Sequence, residues 1–357
     1  MKPKRIQPGD HVAIVSLSSG LLGEDFTSHQ RALIEKRLTE FGFRFKYMPN
    51  ARKGIDFLKA HPEARASDLR EAFADPDIQA ILCAIGGDDT FRLAPYLFQD
   101  SSFMDTVKNN PKIFMGFSDT TINHLMLHKC GLNTFYGQAL LPDIAELDAE
   151  MLPYSKMYFE SLWINGVARA LVSSPVWYDE RTDFSVKSLD KPRIAHIETR
   201  GFERLSGSAT FQGKILGGCL ESLYDMLAGD VHPDEPHIVK KYDLFPSLAD
   251  WENRILLLET SEEMNSPEYI RHMVATLKET GLFEVIAGVL IGKPMNEHYY
   301  DEYKLVFNDL IARPDLPVIY NINVGHALPR GIVPFGIETI VDLNAGSIRF
   351  VEPVFAN

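Results

Sequence analysis

The feature that most restricts this chain is the alternation of short apolar runs with helical patterns through its first half. Val12-Ala-Ile-Val-Ser-Leu reads as a buried strand, and Ser28–Phe41 follows with Leu33, Ile34, Leu38 and Phe41 at helical spacing. Phe43–Met48 reads as a second strand, Ala66–Ala74 as a helix, and Ile78–Ile85 as a third strand ending at Gly86-Gly87. Lys112–Phe117 is a fourth, with a helix over Thr120–Lys129 behind it. Parallel neighbours need a crossover long enough to hold a helix, so this alternation predicts a helix-covered parallel sheet. The expected fold class is α/β, with an N-terminal parallel-sheet domain of Rossmann or flavodoxin-like type. Ligands are then expected beyond the carboxyl ends of its strands.

One more helix is predicted over Met151–Ile164, and then the texture changes. Residues 166–206 carry Ser173-Ser-Pro, Trp177-Tyr-Asp-Glu-Arg and Lys191-Pro with weak periodicity, which predicts a connector or insert. From Gly207 the alternation resumes. Strands are expected over Thr210–Leu216, Ile255–Leu258, 284–291 and 317–322, helices up to Leu227 and over 266–279 and 300–312, and a hairpin around Asn344-Ala-Gly-Ser. The expected organisation is therefore an N-terminal α/β domain (1–165), a connector (166–206), and a C-terminal α/β domain (207–357) built on a mixed sheet or a barrel.

Composition removes whole classes of function. The chain has 357 residues, 45% hydrophobic and 24% charged, enough apolar material for a large core and too much for a disordered chain. A formal net charge of −13 argues against nucleic acid as a partner, since phosphate backbones need a basic surface. Three scattered cysteines, Cys83, Cys130 and Cys219, make neither a disulfide framework nor a zinc knuckle. No apolar run reaches the ~20 residues of a membrane helix. The N-terminal stretch lacks a secretory pattern. A cytoplasmic protein without membrane attachment is expected.

Chemistry is carried by loops at strand ends. Gly116-Phe-Ser118-Asp-Thr lies between a predicted strand and a predicted helix, the setting in which a sharp turn lifts a serine hydroxyl above a sheet edge. Thr120 stands where the second glycine of that pattern belongs, and a plain helix cap by Ser118 or Asp119 fits the same residues. Gly86-Gly87-Asp88-Asp89-Thr90 follows a buried strand and could present N–H groups to an anion or oxyanion. It also resembles the Gly-Gly-Asp-Gly-Thr loops of nucleotide-using kinases, although Asp89 replaces their third glycine. Among eleven histidines, His326 stands out in Asn323-Val-Gly-His-Ala-Leu-Pro, directly beyond a strand. Glu259 ends the apolar run Leu256-Leu-Leu, where burial without a partner would be costly. His124 and His128 share a helix face, but Leu125 stands where a zinc-protease glutamate belongs, so no metal site is expected. Trp177-Tyr178 places two large rings in the connector, covering a core edge or a ligand.

Taken in order, these loops resemble the LD-carboxypeptidase family of serine peptidases, and more closely its microcin C self-immunity branch. The resemblance runs from Pro8-Gly-Asp-His-Val-Ala-Ile-Val-Ser through Ala72-Phe-Ala-Asp-Pro-Asp-Ile-Gln-Ala-Ile-Leu-Cys-Ala-Ile-Gly-Gly-Asp. It continues in Asn110-Pro-Lys-Ile-Phe-Met-Gly-Phe-Ser-Asp-Thr-Thr, Thr134-Phe-Tyr-Gly, Gly213-Lys-Ile-Leu-Gly-Gly-Cys-Leu-Glu-Ser-Leu, Ile255-Leu-Leu-Leu-Glu and Gly325-His326. It implies a Ser118–Glu259–His326 triad split between two domains, without cofactor or metal. It also implies an oxyanion hole from main-chain N–H groups at Gly87, Asp88 and Asp119, and a homodimer. The branch implies a peptide or aminoacyl-nucleotide substrate, cleaved where a C-terminal aspartyl residue joins a nucleotide-like group, with Trp177 stacked on the nucleobase. Murein tetrapeptide is the substrate implied for the simpler members. Cys219 departs from the pattern, since many relatives carry Asn after the Gly-Gly pair.

Overall fold

The structure, a computed structural model, describes residues 1–356. Two sheets carry the molecule. The first has six strands in the order Val333–Pro334, Phe135–Tyr136, Ile113–Gly116, Ile78–Cys83, His11–Val15 and Arg44–Tyr47. Its five N-terminal strands run parallel, and Val333–Pro334 joins antiparallel at one edge. Helices over Ser28–Glu40, Pro62–Ala74 and Thr120–Lys129 supply crossovers. The central strands are covered on both faces, which is why Val12-Ala-Ile-Val and Ile81-Leu-Cys are apolar without alternation and fully buried. The edge strand Arg44–Tyr47 alternates exposed with half-buried residues.

The second sheet has eight strands, ordered Leu171–Val172, Ser347–Phe350, Glu338–Asp342, Thr210–Cys219, Arg254–Glu259, Gly288–Gly292, Val318–Ile322 and Glu203–Ser206. The four from Thr210–Cys219 to Val318–Ile322 are parallel; the flanking strands are antiparallel. Its two outer strands do not pair with each other, so the sheet is mixed and open. The mixed sheet is therefore the observed form, and the barrel is ruled out. Segment 166–206, expected as a connector, supplies both outer strands and a separate hairpin, Val176–Tyr178 with Ala195–Ile197. These runs are two to four residues long, too short for periodicity to register. The strand predicted over 284–291 begins instead at Gly288, because Leu282–Glu284 turns as a short 3-10 helix.

Both sheets present the carboxyl ends of central parallel strands to one place. Ser118 follows Ile113–Gly116, Glu259 ends Arg254–Glu259, and His326 lies past Val318–Ile322. Direct bonds join the sheets there. The Cys219 N–H donates to Thr121 Oγ1 (2.9 Å), and the Tyr136 hydroxyl donates to Glu259 (2.6 Å).

Candidate active site

The turn after Ile113–Gly116 is sharp because Ser118 takes a left-handed conformation, φ 65°. A non-glycine residue held there stores strain that its surroundings must offset. The offset is visible: Ser118 N–H donates to Tyr136 Oη (3.2 Å), and Ser118 O accepts from Thr121 Oγ1 (2.7 Å). Neither Ser118 nor Asp119 caps the helix through its side chain. Instead, Asp119 is buried and its carboxylate accepts from Thr90 N–H (2.9 Å), tying the helix start to the Gly-Gly loop. Burial raises the Asp119 carboxyl to about 6.

The Gly86-Gly87 turn packs directly on the serine. A Cβ on Gly86 would stand 2.6 Å from Ser118 Cβ and 3.2 Å from Asp119 N, so only glycine permits this approach. Among the described residues, no protein group accepts from the main-chain N–H of Gly87, Asp88 or Asp119. Asp89, where the kinase-like loops have glycine, turns inward onto buried Arg65 (2.5 Å). The loop is thus closed on its inner side by an ion pair.

Glu259 is fully buried and hydrogen-bonded through both oxygens. Oε1 accepts from Tyr136 (2.6 Å); Oε2 accepts from His326 Nδ1 (2.7 Å) and from the His326 main-chain N–H (3.2 Å). Three donors satisfy a carboxylate whose burial would otherwise be costly. The approach depends on Gly325, at φ 92°, where a Cβ would fall 2.4 Å from Glu259 Oε2. His326 packs edge-on against Phe117, the residue before Ser118, with centroids 5.1 Å apart. Arg330 lies over the same ring and donates to His326 O (3.1 Å).

On the other side of the imidazole stands a second carboxylate. Glu262 Oε2 is 2.9 Å from His326 Nε2, at an angle too bent to give that nitrogen a hydrogen bond. Ser118 Oγ is not hydrogen-bonded to Nε2 in this state. Burial works against the imidazolium, but Glu259 and Glu262 outweigh it and raise His326 to about 10.

Ser118, His326, Glu262, Gly86, Gly87 and Phe117 line one cavity of about 860 Å³, within the size range of small-ligand sites. Phe26 and Phe184, both exposed, also line it. Trp177 does not. Its ring stacks on His196 across the hairpin, centroids 4.0 Å apart, with Lys293 Nζ 5.3 Å from it. The grouping of ligand atoms that could hold a metal is Cys219, Glu259 and His326, within 4.8 Å of one another among the described residues. Glu259 and His326 there satisfy each other. Burial, with Glu221 and Glu259 nearby, keeps the Cys219 thiol protonated. His124 is a core residue between Thr134 Oγ1 (2.7 Å) and Gly116 O (3.0 Å).

Sequence reasoning singled out Ser118, Glu259, His326 and the Gly86-Gly87 loop, and the fold brings all four together. It gave no role to Tyr136, Glu262, Arg330, Phe26 or Phe184. Tyr136 sits in a stretch quoted only for its resemblance, and Glu262 stands in Ser261-Glu-Glu, which reads as solvated loop.

Comparison with known proteins agrees with this architecture. Residues 12–137 match the LD-carboxypeptidase N-terminal domain and residues 212–341 its C-terminal domain. The microcin C7 self-immunity protein MccF of Escherichia coli is 26% identical over 302 residues, 81% of this chain and 78% of that protein. A Bacillus subtilis protein named "Probable murein peptide carboxypeptidase" is 26% identical over 96% of this chain and 91% of its own. The crystal structure of an MccF-like protein from Streptococcus pneumoniae in complex with AMP superposes with a TM-score of 0.94. It is 54% identical, covering 96% of this chain and 99% of that one. Matched in both halves, the chain belongs to the LD-carboxypeptidase family and is a serine-type carboxypeptidase, a hydrolase.

Proposed function

We propose that this carboxypeptidase cleaves the bond between a C-terminal aspartyl residue and a nucleotide-like group, using Ser118, His326 and Glu259. The observation that carries this reading is the buried Glu259–His326 pair opening into the cavity that Ser118 lines. Glu259 fixes the Nδ1–H tautomer and stabilises the imidazolium that forms on proton transfer. His326 Nε2 takes the Ser118 proton as the hydroxyl attacks the carbonyl, then returns it to the departing amine. Water repeats the sequence on the acyl-enzyme. Main-chain N–H groups of Gly87, Asp88 and Asp119 stabilise the oxyanion.

For the nucleotide-like part, support comes from the AMP complex of the S. pneumoniae relative and from the apolar mouth of the cavity. Phe26 and Phe184 are better placed than Trp177 to stack on a nucleobase, an interaction worth ~1–3 kcal/mol per base. Trp177 acts on this reading only if the base extends past the cavity. A cytoplasmic homodimer belongs to the same proposal.

The test is parallel incubation, in chelator, with aspartyl-sulfamoyl-adenosine and with a murein tetrapeptide. Release of aspartate from the first, abolished by Ser118→Ala by a factor of about 10⁶ in kcat, is the expected result. Trimming of the tetrapeptide alone replaces the substrate, and full activity in Ser118→Ala removes the nucleophile.

A further inference from the structure

His326 has a carboxylate at each ring nitrogen, and only one of them suits a general base. Glu259 on Nδ1 is buried and held by three donors. Glu262 on Nε2 has a side chain 59% exposed, on the cavity side. A base cannot keep Nε2 against a carboxylate and also receive the serine proton there. Turnover therefore requires Glu262 to leave.

The loop is built so that the side chain moves and the backbone does not. Ser261 is anchored through its N–H (3.0 Å) and Oγ (2.8 Å) to half-buried Glu221, fixing the backbone one residue before Glu262. Once displaced, Glu262 meets water or an incoming cation, since its side chain is more than half exposed, and the protein's own cations at the cavity are committed. Arg330 is bound to Asp143 (3.3 Å) and to His326 O, while the cavity carboxylate Glu180 is matched by Arg193 (2.7 Å). Any cation that pairs with the displaced Glu262 in the cavity therefore has to enter with the substrate. An acyl carbonyl on Ser118 carries its α-substituent one carbon away, in the same cavity that His326 and Glu262 line.

We propose that Glu262 is the binding residue for a free α-ammonium on the acyl part of the substrate, and that this ammonium draws Glu262 off His326. The proposal rests on the hydrolase reading above and narrows its substrate class. The enzyme acts on aminoacyl compounds with an unblocked amine in preference to N-acylated ones. The resting pair then keeps the base occupied until such a substrate arrives.

The experiment compares aspartyl-sulfamoyl-adenosine with its N-acetyl form, on the wild type, Glu262→Gln and Glu262→Asp. The wild type should favour the free amine by at least about tenfold in kcat/KM, about 1.4 kcal/mol. In Glu262→Gln that ratio should fall to near one, and Glu262→Asp should restore part of it. An unchanged ratio in Glu262→Gln, or a wild-type preference for the N-acetyl compound, overturns the proposal. The same two ligands are titrated calorimetrically into Ser118→Ala and Ser118→Ala/Glu262→Gln. If neither compound is turned over, the aspartyl-nucleotide reading falls. The Kd ratio then decides the ammonium site: collapse in the double variant sustains it, and persistence overturns it.

Discussion

The two sides of one imidazole differ more than the two sheets that build it. Glu259 and Glu262 are three residues apart in sequence and both approach His326, at 2.7 and 2.9 Å. Glu259 ends a buried strand, has no exposed surface, and meets donors on both oxygens. Glu262 lies past the strand end, on a side chain free to turn into the cavity. Equal charges at nearly equal distances thus have unequal consequences. What separates them is whether the surroundings permit the group to move and to meet water.

Breaking the buried side should have the largest effect. Glu259→Gln preserves shape but offers Nδ1 an amide, and a loss of about 10⁴-fold in kcat is expected from the wrong tautomer. Steady-state kinetics with correct folding by circular dichroism checks it. Next is Tyr136→Phe, which removes one of the three donors to Glu259 and the acceptor for Ser118 N–H. A buried group left unsatisfied costs about 1–3 kcal/mol in stability, readable by urea denaturation. A role beyond stability would appear in the pH profile. With fewer donors, Glu259 holds the imidazolium harder, so the acid limb of kcat/KM should move to higher pH.

The open side should give smaller shifts of opposite sign. Glu262→Gln removes one of the two charges that raise His326 to about 10, so the acid limb should move to lower pH. The groups facing His326 are Glu259, Glu262, Arg330 and Cys219, and only the removed charge differs between the two proteins. A limb that stays in place would show that Glu262 does not load the base. Linkage gives the smallest effect. A folded-state value above the unfolded one, near 6.5, means stability that is complete below 6.5 and lost as pH rises through about 10. Urea midpoints at pH 7 and pH 10 should therefore differ less in Glu262→Gln than in the wild type.

Much of the site was legible because its parts are local events at strand ends. A glycine two before Ser118, a glutamate closing Leu256-Leu-Leu and a glycine before His326 are each visible within a few residues. Trp177 shows the limit of that approach. Two rings in a connector mark burial against something, but the partner was His196 across a short hairpin, nineteen residues away and unmarked in sequence. Val333–Pro334 likewise gives no sign that it will pair with Phe135–Tyr136 in the opposite sheet.

The sequence by itself determined the α/β alternation, the parallel central strands and the loops that end them, since burial and turn geometry act over a few residues. Tertiary structure alone decided that the second sheet stays open, that Tyr136 bridges Ser118 to Glu259, and that Glu262 rather than Ser118 meets Nε2. Those outcomes depend on which strand ends face each other, and no periodicity within a strand carries that information.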